Sequence, residues 1–274
     1  MPTKKQLRSA KGLRNARKQK EKFPTIMKKV TEASDIIIEV LDARFPQDTR
    51  NIEIEELLKK KGKRIIYALN KADLIDKEQK TGLRPSVLVS CKNRTGIKQL
   101  RDKIKIEANN MGRTSRKMDR ISVGVIGYPN TGKSSLINLL IGKSSAKTAS
   151  EAGFTKGIQK LKLTSDIVLL DSPGVIPEKE YSSINTDAIS KHAKVGARTY
   201  DKVRDPEMIV TNLMREYAGI IEEHYNIKAN EDTEILLEEL GRRINFLKKG
   251  GVVDTDRTAR LILKDWQEGK IKIN

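Results

Sequence analysis

Short apolar runs alternate with amphipathic stretches through the first two thirds of the chain. Residues 35–41, 64–69, 86–89, 121–126 and 166–170 read as strands, and residues 52–60, 96–108 and 133–141 between them repeat their apolar positions at helical spacing. Strands that are apolar on both faces, alternating with helices, predict a mostly parallel sheet with helices on both faces. Three of the strands run into a polar residue, at Asn70, Ser90 and Asp171. Residues 109–119 read as a polar linker, and a Gly/Ser/Thr-rich polar stretch follows residue 141. Beyond Pro177 the strand pattern stops. Asp205-Pro206 sets an N-cap before a proline at the first helical position, with Leu213, Tyr217, Ile220 and Ile221 following at helical spacing. Residues 232–247 and 255–269 predict two more helices, separated by Lys248-Lys249-Gly250-Gly251. The expected organisation is an arm over 1–29, an α/β domain over 30–178 and a small all-helical C-terminal domain over 179–274.

Charge adds a partner class to this picture. The 274 residues hold 55 Lys and Arg against 36 Asp and Glu, a net charge of +19, which favours a polyanion through phosphate neutralisation and counterion release. Residues 1–29 contain eight Lys and three Arg against one acid, Glu21. Such a stretch is either a solvated tail or an arm that orders on RNA. With four Phe and one Trp, base stacking is not the main mode of recognition. One cysteine, Cys91, excludes an internal disulfide and fits a reducing, cytoplasmic setting. No apolar run reaches the roughly 18 residues of a membrane helix, so no membrane partner is expected.

Gly127-Tyr128-Pro129-Asn130-Thr131-Gly132-Lys133-Ser134 fits the phosphate-loop pattern G-x-x-x-x-G-K-[ST], lying between a strand and a helix. Its glycines let backbone N–H groups wrap phosphate oxygens, Lys133 reaches the β and γ phosphates, and the Ser134 hydroxyl, with Ser135 beside it, opens the helix at a Mg²⁺ position. This motif alone leaves ATP and GTP open. In Asn70-Lys71-Ala72-Asp73, the Asp73 carboxylate accepts from the ring N–H and exocyclic amine of guanine, where adenine presents an acceptor. Unpaired buried polar groups discriminate on the order of 10⁴-fold. Lys71 would lay its stem over the base, and Asn70 would brace the loops. Ser90-Cys91-Lys92, at another strand end, reads as a second base loop whose backbone N–H meets the guanine oxygen. Asp171-Ser172-Pro173-Gly174 supplies D-x-x-G: Asp171 holds Mg²⁺ through water, and the Gly174 N–H feels the γ phosphate. Thr155 is the candidate switch threonine that completes the Mg²⁺ shell. Lys133, Thr155 and Gly174 are thus the candidate catalytic groups. The base loop precedes the phosphate loop, the reverse of most GTPases, so the α/β domain reads as a circularly permuted P-loop GTPase domain.

The order N-K-A-D, S-C-K, G-Y-P-N-T-G-K-S, D-S-P-G resembles the circularly permuted GTPases of ribosome assembly, the YlqF/RbgA kind. Asp42-Ala43-Arg44-Phe45-Pro46 through Arg50-Asn51 is similar to that family's D-A-R-x-P…R-N segment, and Gly250-Gly251 through Asp265 and Trp266 to its C-terminal helical region. The resemblance implies GTP hydrolysis and work on the large ribosomal subunit or its precursor, with rRNA as a partner. A monomer is expected. Val175 stands where many GTPases place a water-orienting glutamine, so intrinsic turnover is expected to be slow. Asn130 resembles the asparagine that accompanies potassium dependence, making K⁺ a candidate cofactor beside GTP/GDP and Mg²⁺. Some relatives carry an N-terminal histidine proposed to help catalysis; the only histidines here, His192 and His224, lie past the switch, with no metal-ligand spacing.

On the last helix Ala259, Ile262, Leu263 and Trp266 share a core face, while Arg257, Arg260 and Lys264 form an opposite basic arc that suits either solvent or rRNA phosphate. The expected function is a GTP-gated assembly factor released by hydrolysis. The alternatives are a translation- or tRNA-linked GTPase and a nucleotide-gated RNA-binding protein with negligible hydrolysis.

Overall fold

The structure, a computed structural model, describes residues 28–75, 82–111, 120–142, 159–172, 174, 176, 180 and 186–273. Residues 1–27 of the basic arm, Thr155 and Val175 lie outside the described residues. Strands β1 (Ile36–Asp42), β2 (Arg64–Asn70), β3 (Ser86–Leu88), β4 (Ile121–Gly127), β5 (Gln159–Lys162) and β6 (Ile167–Asp171) form one sheet in the order β3-β2-β1-β4-β6-β5. All neighbours are parallel except β5, which runs antiparallel to β6. Register brings the strand ends level: Asp42 pairs with Asn70, Val40 with Gly127, and Val125 with Asp171. The base loop, the phosphate loop and D-x-x-G therefore leave the same edge of the sheet, the carboxyl edge where open α/β sheets bind ligands.

The period of two along β1 sorts its side chains. Ile36, Ile38 and Val40 pack with Leu100 and Ile104 of α3 (Ile97–Asn110) and Leu136 and Ile137 of α4 (Lys133–Ile141). On the other face Ile37 meets Val30, Ile126 and Leu58 of α2 (Ile52–Lys60). The short α1 (Pro46–Thr49) precedes α2. Asn51 caps α2 by accepting from Ile54 N at 3.2 Å; Glu53 and Glu55 in its first turn and Lys59 and Lys60 in its last suit the helix dipole. Strand β5 falls in the stretch the sequence pattern leaves as irregular. Its Gln-Lys-Leu-Lys run has one apolar residue, as an edge strand with charges against further pairing does.

The C-terminal unit comprises α5 (Thr186–Lys194), α6 (Pro206–Glu216), α7 (Ile220–Tyr225), α8 (Thr233–Arg243) and α9 (Thr255–Glu268). Aspartates cap three of these: Asp205, Asp232 and Asp254 each accept from amides in the first turn. The helical spacing through residues 213–221 does not form one helix, because α6 ends at Glu216 and Gly219 precedes α7. Trp266 is fully buried, stacked on Phe45 at 6.1 Å and edge-on to Tyr217 at 4.9 Å. Phe45 and Tyr128 from the α/β part join the same apolar cluster as α6, α8 and α9, so the two parts share a core.

The basic arc on α9 is not a uniform exposed face. Arg260 binds Asp256 at 2.7 Å and donates to the carbonyls of Tyr200, Asp201 and Val203, because those chain-turn carbonyls lie over the helix and need donors. Lys264 is half-buried, and exposed Arg257 lies 3.9 Å from the Phe246 ring centroid. Arg260 is thus a structural clasp, and of the three only Arg257 is exposed. Among the described residues no helix is long and apolar enough to cross a membrane.

Candidate functional site

Asn70, at the end of β2, joins the two halves of the candidate site. Its Nδ2 donates to the Thr131 carbonyl at 2.7 Å, and its Oδ1 accepts from the Cys91 amide at 3.1 Å. One side chain thus holds the phosphate loop and the second base loop in register although they lie far apart in the chain. Gly132 sits at φ 93°, and a Cβ there would come within 2.2 Å of Asn70 Nδ2; Gly127 is as restricted, with the Val40 carbonyl 2.3 Å away. The closeness of the loops therefore depends on glycine.

Around this brace the base loops meet each other. Ser90 Oγ donates to Asp73 Oδ1 at 2.5 Å and accepts from Asn93 N at 3.0 Å, while Ala72 N donates to the Val89 carbonyl at 3.0 Å. Lys71 takes a left-handed turn at φ 63°, and its Nζ binds Asp42 Oδ2 at 2.7 Å. Lys92 is exposed. Burial pushes the Cys91 thiol up to about 11, which suits a small packing residue and not a nucleophile.

On the phosphate side Lys133 is buried and donates to the Tyr128 carbonyl at 2.5 Å. Burial pulls its ammonium down to about 8, against the attraction of Asp171. Burial likewise pushes Asp171 up to about 6, while Lys133 and the Ser172 amide pull it down. Among the described residues Asp171 Oδ1 is buried with no hydrogen-bond partner. An orphaned carboxylate oxygen beside a buried lysine fits an oxygen-loving dication and the phosphates it accompanies. Ser134 and Ser135 lie half-buried in the first turn of α4. Gly174 is seated against the loop, where a Cβ would lie 2.8 Å from Pro129 Cα and 3.0 Å from Lys133 Nζ. Asn70, Lys71, Asp73, Ser90, Cys91, Thr131, Gly132, Lys133, Asp171 and Gly174 therefore converge on one sheet edge. Thr155 lies outside the described residues. Asn130 turns away from this centre: its Nδ2 donates to the Gly196 carbonyl of the helical unit at 2.8 Å.

Two groups of residues at the site carry no motif role in the sequence. Tyr128 donates its hydroxyl to Glu180, which also binds Lys191 Nζ at 2.6 Å and lies 3.1 Å from His192 Nε2. Burial raises Glu180, but its bonds to His192, Lys191 and Tyr128 hold it down at about 2. Buried His192 is therefore part of a polar joint, and among the described residues no metal-holding group of three His, Cys, Asp or Glu occurs. The second group, Asp42 and Arg44, belongs to the D-A-R segment, which spacing alone marks without assigning.

Comparison with known proteins agrees with the geometry. The family described as 50S ribosome-binding GTPase matches residues 122–239. An uncharacterised GTP-binding protein of Methanocaldococcus jannaschii is 41% identical over 255 residues, covering 90% of this chain and 65% of that protein. Nucleolar GTP-binding protein 2 of Saccharomyces cerevisiae is 35% identical over 259 residues, covering 89% of this chain and 51% of that protein. The chain thus spans less than two thirds of these relatives. The crystal structure of GNP-bound YlqF from T. maritima superposes with a TM-score of 0.63 at 26% identity, over 89% of this chain and 92% of that one. With residues 70–73 after β2, the G-x-x-x-x-G-K-S segment after β4 and a helical unit closing on both, the chain shares the fold and the motif order of the circularly permuted GTPases of the YlqF kind.

Proposed function

We propose that this chain is a GTP-binding and GTP-hydrolysing assembly factor for the large ribosomal subunit, contacting rRNA or pre-ribosomal particles according to its nucleotide state. The observation that carries the reading is Asn70, bonded at once to Thr131 and to Cys91, which ties the segment that holds Lys133 to the segments that hold Asp73 and Ser90 at one edge of the sheet. The 50S ribosome-binding and nucleolar GTP-binding relatives support the ribosomal part.

In this reading Asp73 accepts the guanine N–H groups, Lys71 covers the base, and the Lys92 amide donates to the guanine oxygen, since the Cys91 amide is taken by Asn70. Lys133 and the loop amides hold the β and γ phosphates. Ser134, Thr155 and Asp171 would hold Mg²⁺, which would supply charge neutralisation on the phosphate oxygens. Gly174 donates its amide toward the γ phosphate, and its seat against Pro129 and Lys133 favours such an approach. Water attacks the γ phosphorus and GDP leaves. Val175 offers no polar group to orient that water, so turnover is slow until a partner contributes one. A role for K⁺ at Asn130 would use its Oδ1, since Nδ2 faces Gly196.

Sedimentation with large-subunit precursors separates this reading from its rivals. Binding that differs between GDP and a non-hydrolysable GTP analogue, with turnover raised by the particles, is expected. Equal binding in both states, or no association with precursors, would leave a translation-linked GTPase or a nucleotide-gated RNA binder. Deleting residues 1–29 should flatten the salt dependence of particle binding and leave GTP affinity unchanged, because the arm's charges act on phosphates without sequence preference.

A further inference from the structure

Asp42 has no exposed surface and holds two cations. Its Oδ2 binds Lys71 Nζ at 2.7 Å and Arg44 Nη2 at 2.8 Å, and its Oδ1 accepts from Arg44 Nε at 3.1 Å. Burial alone would raise its carboxyl, but Lys71 and Arg44 outweigh burial and hold it below the usual carboxylate range, so it remains an anion. The remaining arm of Arg44, Nη1, donates to the Trp266 carbonyl at 2.8 Å. That carbonyl lies in the last turn of α9, where a cation also suits the helix dipole. A second contact runs alongside: Leu74, next to the base loop, packs on Gly269 so closely that a Cβ there would lie 2.4 Å from it.

A polar line thus runs from the lysine that covers the base, through Asp42 and Arg44, into the last helix. It is separate from the phosphate-side ties, Asn130 to Gly196 and Tyr128 to Glu180. We propose that Asp42 is a positioning residue for guanine recognition, fixing the Lys71 ammonium so that its stem lies over the base, and that Arg44 carries occupancy of the base site to α9. The helical unit then responds to the base as well as to the γ phosphate. This rests on reading residues 70–73 as the guanine loop.

The chain's one tryptophan is Trp266, so its emission reports on α9 directly. GDP affinity is measured by calorimetry, and the Trp266 emission change at saturating GDP by fluorescence, in wild type, Asp42→Asn, Lys71→Met and the double variant. Each single variant is expected to weaken GDP about tenfold, and the double variant no more than the weaker single, because both break one interaction. Lys71→Met and Arg44→Met, each saturated with GDP, are expected to lose at least half of the emission change. Additive losses in the double variant, unchanged affinity in either single variant, or a full emission change in saturated Lys71→Met would overturn the proposal. Should Asp42→Asn fail to fold, Lys71→Met decides it by the same two readouts, since its ammonium reaches the surface. Asp73→Asn separates the two levels: wild-type GDP affinity in that variant would sink the guanine-loop reading itself, whereas weakened binding with an additive cycle would sink only the relay.

Discussion

Glu39 and Asp42 lie on the same strand, both fully buried, yet they are opposite kinds of acid. Glu39 accepts from the Asn51 amide at 2.7 Å through Oε1, and among the described residues no donor reaches its Oε2. Burial pushes its carboxyl up to about 8; Glu55 adds to the rise and Asn51 opposes it. The cation that could have neutralised it, Arg50, is already paired with Glu55 at 2.7 and 2.6 Å, and Tyr67 donates to the same Glu55 at 3.0 Å. Asp42 has two cations in direct contact and stays ionised. Depth is therefore not what decides charge on β1; the number of cations within hydrogen-bond reach is. The neutral acid serves α2 packing, while the permanent anion stands at the edge where the loops converge.

The comparison breaks most visibly if Asp42 loses a partner. Arg44→Ala should cost about 3 kcal/mol in urea unfolding at pH 7, because it leaves a buried carboxylate with one cation and the Trp266 carbonyl without its donor. A loss below about 1 kcal/mol would mean that Lys71 alone is enough.

Next in size is the pH dependence of Glu39. Its folded value of about 8 lies above the ordinary 4.5, so its contribution is fully present below pH 4.5 and is lost as pH rises through 8. Between pH 5 and pH 6.5 the wild type should lose about 2 kcal/mol relative to Glu39→Gln. Parallel pH profiles for the two proteins would show that Glu39 is ionised in the folded chain, and the contrast with Asp42 would vanish.

The smallest effect sets the scale for both. Lys61 and Glu32 are 3.7 Å apart, and both are partly exposed. Lys61→Ala should change stability by less than about 0.5 kcal/mol by the same urea assay. A loss above about 1 kcal/mol would mean that solvent does not discount ion pairs on this protein, and that the buried pairs owe less to burial than argued.

The segment 127–134 was legible because its eight residues are contiguous, and it lies between β4 and α4 as the pattern requires. Residues 70–73 and 90–92 stood out for the same reason, as polar residues at the ends of apolar runs, and the structure brings them into contact. What spacing could not express is contact across the chain. Arg44 meets Trp266 over 222 positions, and Arg260 meets the carbonyls near Tyr200 over about 60. On a helical wheel Arg260 is one more surface cation, whereas in the fold those carbonyls claim it. Gly219 hid the break between α6 and α7 because the apolar spacing runs straight through it. The state of Glu39 could not be read at all, since nothing local in Ile-Ile-Ile-Glu-Val-Leu-Asp tells a protonated acid from an ionised one.

Phe45 and Tyr128 fill positions in the apolar cluster that α6, α8 and α9 build. During synthesis both aromatics leave the ribosome well before residues 255–268, so α9 closes onto a surface that already holds them. A fragment holding residues 179–274 alone would present two empty sockets to water and tend to self-associate. The helix that seals Phe45 beneath Trp266 is thus made after both of the aromatics it covers or neighbours.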